Sequence, residues 1–341
     1  MARYIIDVAR SESNDGDHKP KLDVSRILHN QLGFTTIYLK KYQHSKIDQH
    51  FLIDHRIHAK LAGLKLNSND VVLVNYPLYS GAKFSTHLLN YLKEHRVRTI
   101  ALIHDLDSLR FAWSIFGTLE QEAAYLNQYD YVITHNQRMT AKLQSVGLTT
   151  ETVELELFDY LSNAKSQTNS ESYKNNLTFA GNLNKATFLQ DFQVHAPLHV
   201  DLYGKTNNPQ QLEASLDYHG SCSPEELASK MGHGFGLVWD GKQTSEISGL
   251  FGNYLKYNNP YKVSSYFSAG MPVIVWEQAA ICEFVRKNNV GISVAGLGQL
   301  QEKVAQITSS QFTDMLRNVK HIKQKINAGE YITTAVSKCM E

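Results

Sequence analysis

Three short stretches carry side chains that can do chemistry together. The first, Phe179-Ala180-Gly181-Asn182-Leu183-Asn184-Lys185-Ala186, stands where an apolar strand meets a candidate helix. Gly181 permits a tight turn, the amides opening the following helix can face an anion, and Asn182 and Lys185 add a donor and a point charge suited to phosphate. In the second, Asn259-Pro260-Tyr261-Lys262, Pro260 opens a helix whose first turn holds Tyr261 and Lys262. A lysine there opposes the helix dipole, a conflict removed if Lys262 and the dipole address one phosphate. The third, His104-Asp105-Leu106-Asp107, follows a buried strand, where an imidazole or carboxylate can take a proton from a hydroxyl. Each stretch also has a plainer reading: a strand-to-helix turn with a solvated lysine, a surface lysine indifferent to the dipole, and an aspartate bonded to local backbone amides.

Other chemistries lack their residues. Neither GxGxxG nor GxxxxGK[ST] is present, so dinucleotide and P-loop readings have no fingerprint. Cys222, Cys282 and Cys339 are odd in number and far apart, which supports neither a disulfide framework nor a zinc site. His50, His55 and His58 lack the HExxH pattern and read as a solvated helix face. The acid-rich stretch Ser13-Asn14-Asp15-Gly16-Asp17-His18-Lys19-Pro20-Lys21 has no closing glutamate for an EF-hand and is interrupted by Pro20; it reads as a mobile loop at the mouth of the interdomain cleft. Tyr76, Tyr79, Phe111 and Trp113 follow strands, where their rings can stack on a bound ligand, although partial core burial is the favoured reading.

The elements that must position these residues alternate in type. Buried strands are predicted at 4–8, 35–39, 71–76, 99–104, 131–134 and 152–157, and again at 177–180, 199–203, 216–219, 235–239, 272–276 and 291–294. They lack clean alternation, as strands covered on both faces do. Helices are predicted at 22–31, 51–61, 84–95, 116–127 and 137–145, then at 224–231, 261–268, 279–288 and 297–307. Asn136 and Gly147 are expected to cap the fifth of these. The polar stretch 162–176 has no period and reads as a linker. The expected fold is α/β, two doubly wound Rossmann-like domains facing a cleft, at 1–161 and 177–310, with a helical segment 311–341 that can pack on either.

Composition agrees with an ordinary globular chain: 341 residues, 42% hydrophobic, and 34 basic against 33 acidic residues. That balance argues against a nucleic-acid partner while leaving room for a local basic pocket. The first strand is too short for a secretory h-region and no apolar run reaches membrane-span length, so a cytoplasmic protein is expected.

The order Gly-Asn with a basic residue three further on, then Gly236-Leu237-Val238-Trp239, Pro260-Tyr261-Lys262, and Ala269-Gly270-Met271-Pro272-Val273-Ile274-Val275 resembles nucleotide-sugar-dependent GT-B glycosyltransferases. More narrowly it is similar to bacterial glucosyltransferases that extend GlcNAc on serine-rich repeat adhesins, often labelled galactofuranosyltransferase-like. His104-Asp105-Leu106 with Leu109-Arg110-Phe111 resembles that family's His-Asp segment. The resemblance implies a UDP-sugar donor, a glycan or glycosylated serine-rich protein as acceptor, no cofactor and no metal. It implies a diphosphate site at Gly181, Asn182, Lys185, Tyr261 and Lys262, with Asp240 at a strand end near the nucleotide. Lys185 stands where the family usually has arginine, which keeps the charge and loses the bidentate fork. The paired glutamates of many retaining members fall at Tyr257 and Ser265, which points to an inverting enzyme with Asp105 or His104 as base. A galactofuranosyltransferase, or a non-catalytic nucleotide-sugar-binding assembly partner, remains the alternative; self-association and, at most, peripheral membrane contact stay open.

Overall fold

The computed structural model describes residues 1–9, 18–40, 53–162, 169–231 and 233–341. The chain divides into two compact units, Met1–Leu155 with Ile332–Glu341, and Glu156–Tyr331. Each is built on a six-stranded parallel sheet flanked by helices.

In the first unit the chain runs β1 (Arg3–Ala9), α1 (Lys19–Leu32), β2 (Thr35–Lys40), α2 (Ile53–Leu61), β3 (Val71–Tyr76), α3 (Ala82–Glu94), β4 (Arg98–Ile103), α4 (Asp107–Phe111), α5 (Leu119–Leu126), β5 (Tyr131–Thr134), α6 (Gln137–Gln144) and β6 (Glu151–Glu154). All six residues of β3 are buried, as a central parallel strand covered on both faces requires. The helices begin where local chemistry permits: Asn136 accepts a bond from the Met139 amide at 3.0 Å to open α6. Strand order is β2-β1-β3-β4-β5-β6. The direction of winding therefore reverses between β1 and β3, the place where an open α/β sheet leaves a crevice at its carboxyl edge.

The second unit runs β7 (Asn176–Ala180), β8 (His199–Tyr203), β9 (Asp217–Tyr218), α7 (Pro224–Lys230), β10 (Phe235–Val238), α8 (Gly249–Tyr254), α9 (Tyr261–Ala269), β11 (Val273–Trp276), α10 (Ile281–Asn288), β12 (Gly291–Val294), α11 (Leu300–Ala305) and α12 (Ser309–Ala328). Its order, β12-β11-β10-β7-β8-β9, puts the reversal between β7 and β10. The helical C-terminal stretch is divided by Gly329, whose φ of 71° ends α12. The last helix, α13 (Glu330–Met340), joins the first unit from Ile332 onward. There Arg98 donates to the Cys339 carbonyl at 3.1 Å and Thr333 to the Gln31 side chain at 2.7 Å.

Several expectations are corrected. No α-helix follows β7; the chain makes only a 3-10 turn at Thr187–Gln190. The helix expected at 116–127 starts late, because Gly117 has a φ of 104° and the Thr118–Gln121 capping box sets the first turn. The strand expected at 152–157 ends at Glu154. Residues 156–160 are tied into the second unit, with Asn259 Nδ2 donating to the Glu156 carbonyl at 2.7 Å and Ser264 Oγ to that of Phe158 at 2.6 Å. That unit thus begins ahead of the polar stretch 162–176. Residues 163–168 of the stretch, His50 and residues 13–17 of the acid-rich stretch lie outside the described residues; Lys19–Lys21, expected in that loop, instead form the first turn of α1, where Pro20 is tolerated because its missing amide has no helical partner to lose. His55 and His58 are exposed, and the three cysteines are unpaired. No described helix is long and apolar enough to cross a membrane.

Candidate functional site

The reversal between β7 and β10 is held open by a tyrosine. Pairing of these strands stops at Gly236 with Thr178. Beyond it the buried Tyr266 hydroxyl, carried by α9, accepts from the Ala180 amide at 2.9 Å and donates to the Leu237 carbonyl at 3.2 Å. The phenol therefore substitutes for the missing strand-to-strand bonds. Gly236 is required beneath it, since a Cβ there would lie 2.2 Å from the ring. Above this bridge the strand ends release Gly181 and Asp240.

Lys262, in the first turn of α9, reaches the same place. Its Nζ lies 3.6 Å from where a Gly181 Cβ would stand and 4.7 Å from the centroid of the Phe179 ring. Burial pushes the Lys262 pKa down, and the Asp240 charge pulls it back up. Gly181, Asp240 and Lys262 are thus brought together at the crevice mouth. Asn182 and Lys185 are exposed on the same loop, where the Asn182 side chain accepts from the Asn184 amide at 3.1 Å. With no α-helix behind Gly181, the dipole at this crevice comes from α9. The Tyr261 ring packs 5.1 Å from Tyr160 and 6.1 Å from Phe158, bracing the start of α9.

In the first unit His104 follows β4, and its amide donates to the Tyr76 carbonyl at 2.7 Å. Its Nε2 lies 3.1 Å from Asn75 Oδ1, and its Nδ1 is covered. Burial, then the charges of Lys21 and His135, hold the His104 pKa well below the usual value. The ring is neutral at pH 7. His135 is likewise pushed down to about 4 by burial, and its Nε2 donates to the Ile103 carbonyl at 3.0 Å. Asp105 faces outward more than His104, with its side chain 29% exposed, and is bound by Arg110 at 2.7 Å. Asp107 is buried, which raises its pKa. Among the described residues no group of three or more His, Cys, Asp or Glu is placed to hold a metal ion.

The segment after β4 rests on Glu122 of α5, which is fully buried. It accepts from the Tyr76 hydroxyl at 2.5 Å, the Ser108 amide at 3.2 Å and the Ser108 hydroxyl. Burial raises its pKa, against the pull of these bonds. At the end of α4 and just past it, Phe111 and Trp113 are 44% and 63% exposed, the reverse of the burial expected for them; Tyr76 is buried as expected.

Sequence reasoning missed Tyr266 and Gly236 in the second unit and Asp7, Lys21, Asn75 and Glu122 in the first. Asn75 had a signal, as the one amide inside the apolar run Val71-Val72-Leu73-Val74-Asn75-Tyr76. Lys21 had another: Lys19-Pro20-Lys21 opens α1 much as Pro260-Tyr261-Lys262 opens α9.

The comparisons agree with this architecture. Residues 2–157 match the N-terminal domain of the glucosyltransferase 3-like family and residues 177–339 its C-terminal domain. The chain is 33% identical over 282 residues to the beta-1,6-galactofuranosyltransferase WbbI of Escherichia coli, covering 81% of each chain. It is 27% identical over 300 residues to glucosyltransferase 3 of Streptococcus parasanguinis, covering 87% of this chain and 86% of that one. Among solved structures, a sucrose-phosphate synthase from Thermosynechococcus elongatus superposes with a TM-score of 0.66 over 99% of this chain and 98% of its own, at 12% identity. A trehalose-6-phosphate enzyme from E. coli, solved with UDP-2-fluoro glucose, gives 0.64 over 100% and 99%, at 9% identity. These two likenesses show the fold, that of the GT-B enzymes. Two matched domains in order and a relative aligned across four-fifths of both chains place this chain in the glucosyltransferase 3-like family of glycosyltransferases.

Proposed function

We propose that this chain transfers a hexose or N-acetylhexosamine, with glucose or GlcNAc favoured, from a UDP-sugar to a GlcNAc-modified serine-rich protein or a related glycan, with inversion and without a metal ion. The observation that carries the reading is the Lys262 ammonium at the β7/β10 crevice, facing Gly181 where no side chain intervenes. A cation held at a helix start and partly removed from water is suited to the diphosphate of a nucleotide sugar. Lys185 and Asn182 add contacts from the neighbouring loop, and the first turn at Tyr261 adds its amides.

In the reaction the acceptor hydroxyl oxygen attacks the anomeric carbon, the bond from that carbon to the diphosphate oxygen breaks, and the hydroxyl proton passes to a base. Asp105 is the better base of the two sequence candidates. Its carboxylate is partly exposed, whereas His104 has Nε2 engaged and Nδ1 covered. Lys262 and Lys185 balance the charge left on UDP. Trp113 and Phe111, exposed beyond the base, offer apolar faces to the acceptor sugar. The printed name of the E. coli relative supports a galactofuranose donor as the second reading.

Incubation with UDP-glucose, UDP-GlcNAc and UDP-galactofuranose in the absence of acceptor tests the enzyme reading. Slow release of UDP is expected from one of them. Binding of UDP with neither hydrolysis nor transfer to a panel of acceptors would leave the assembly-partner alternative.

A further inference from the structure

Beneath the His104-Asp105 segment lies a polar chain whose hydrogens are determined by its terminal group. Asp7 on β1 is buried, and its Oδ2 accepts from Asn75 Nδ2 at 3.1 Å. A carboxylate only accepts, so the amide nitrogen of Asn75 must face Asp7 and the amide oxygen must face the other way. That oxygen is 3.1 Å from His104 Nε2. An amide oxygen also only accepts, so Nε2 carries the proton and the neutral ring keeps its lone pair on Nδ1. Lys21 locks the base of the chain: its Nζ is 3.6 Å from Asp7 Oδ1 and donates to the carbonyls of Asn75 at 3.1 Å and Pro77 at 2.8 Å.

We propose that Asp7 and Asn75 are positioning residues of the transfer reaction: Asp7 orients the Asn75 amide, Asn75 selects the Nε2–H tautomer of His104, and the ring so held fixes the backbone from which the Asp105 base projects. This rests on the reading of Asp105 given above. The arrangement is built to exclude an imidazolium. Facing the ring are Lys21 from α1 and His135 after β5, both of which oppose a positive charge. Asp7 is turned toward Lys21 and the Asn75 amide, and the Asp107 carboxylate, further along the segment, feels the charges of Arg110 and the same Lys21.

Selective nitrogen-15 labelling of histidine tests the proposal on the intact protein, with His104 assigned by the signals lost in His104→Gln. The protonated and lone-pair ring nitrogens resonate far apart, so the tautomer is read directly. Wild type is expected to show Nε2–H, with no change as pH falls through the range in which an ordinary histidine takes up its second proton. In Asp7→Asn the Asn75 amide is free to turn, and a mixture with Nδ1–H is expected. Turnover should fall about 10- to 100-fold, as for other groups that orient a catalytic residue, with UDP affinity kept. The double variant Asp7→Asn/Asn75→Asp again presents a pure acceptor to Nε2, and it should recover the Nε2–H signature and part of the turnover. An Nδ1–H tautomer in wild type overturns the proposal, and so does an Asp7→Asn enzyme with wild-type turnover. If Asp7→Asn fails to fold because Lys21 loses its carboxylate, the wild-type spectrum and the double variant still decide. Failure of the Asp105 reading looks different: Asp105→Asn keeps full turnover while the His104 spectra follow the pattern above.

Discussion

Lys262→Met should raise or preserve stability while weakening UDP binding, and the opposite signs make it a sharp test. Methionine keeps the apolar stem and replaces the contact of Nζ with the Phe179 ring, 4.7 Å away, by a sulfur–aromatic one. What disappears is an ammonium whose pKa is lowered mainly by burial, against the smaller opposing pull of Asp240. A lysine with a folded pKa below its unfolded value costs stability whenever it is charged, so the variant gains most near neutral pH. The gain should shrink as pH rises through the lysine range, where the wild-type ammonium is shed. UDP binding loses a charge-assisted hydrogen bond, worth about 1.5–3 kcal/mol, or about 10- to 150-fold in affinity. Calorimetric titration with UDP and thermal unfolding at pH 7 and pH 10 measure both effects. Unchanged UDP affinity would remove Lys262 from the donor site. A melting temperature lowered at pH 7 would show that pairing with Asp240, rather than burial, dominates at this position.

Further expectations follow from the same geometry. Asp105→Asn should reduce kcat by about 10²- to 10⁴-fold with UDP affinity intact, the loss typical of a general base; steady-state kinetics with calorimetry check it. Gly236→Ala should destabilise the second unit by about 1–3 kcal/mol, because the new methyl meets the Tyr266 ring at 2.2 Å, and denaturant unfolding reads the cost. Stability should fall with acid between pH 6.5 and about 4. In that window the unfolded chain protonates His135, whose folded pKa is about 4, and His104, whose folded pKa is also lowered. His135→Gln should flatten that slope in unfolding experiments run across the window. Trp113→Ala should raise the acceptor KM and leave UDP affinity unchanged, since this side chain is 63% exposed in the first unit.

The alternation of buried strands with helices was legible because two-sided burial writes continuous Val, Ile and Leu runs, as in β3 and β11. The place of Lys262 in the first turn of α9 was legible as well, since Pro260 marks where that helix begins. The missing helix after Gly181 was not, because glycine, asparagine and lysine suit a 3-10 turn as readily as a helix start. Nor was α8, whose two glycines argue against the helix that forms. Tyr266 and Glu122 escaped notice for a different reason. Their roles depend on partners 86 and 46 residues away, Ala180 and Tyr76, and no spacing along the chain announces such a contact. Trp113 was assigned to partial burial on residue type alone, and its exposure is set by the turn at Ala112, where φ is 63°.

The central claim is that a UDP-sugar is consumed at the Lys262 crevice and its sugar passed to a glycan hydroxyl. Mass-detected transfer from a panel of UDP-sugars onto GlcNAc-terminated acceptors, run with wild type, Lys262→Met and Asp105→Asn, addresses it most directly. The expected result is one added hexose or N-acetylhexosamine with wild type, from one preferred donor, and a strong loss of product with each variant. Transfer by Lys262→Met at the wild-type rate with subsaturating donor, or no transfer by wild type from any UDP-sugar, would contradict the account.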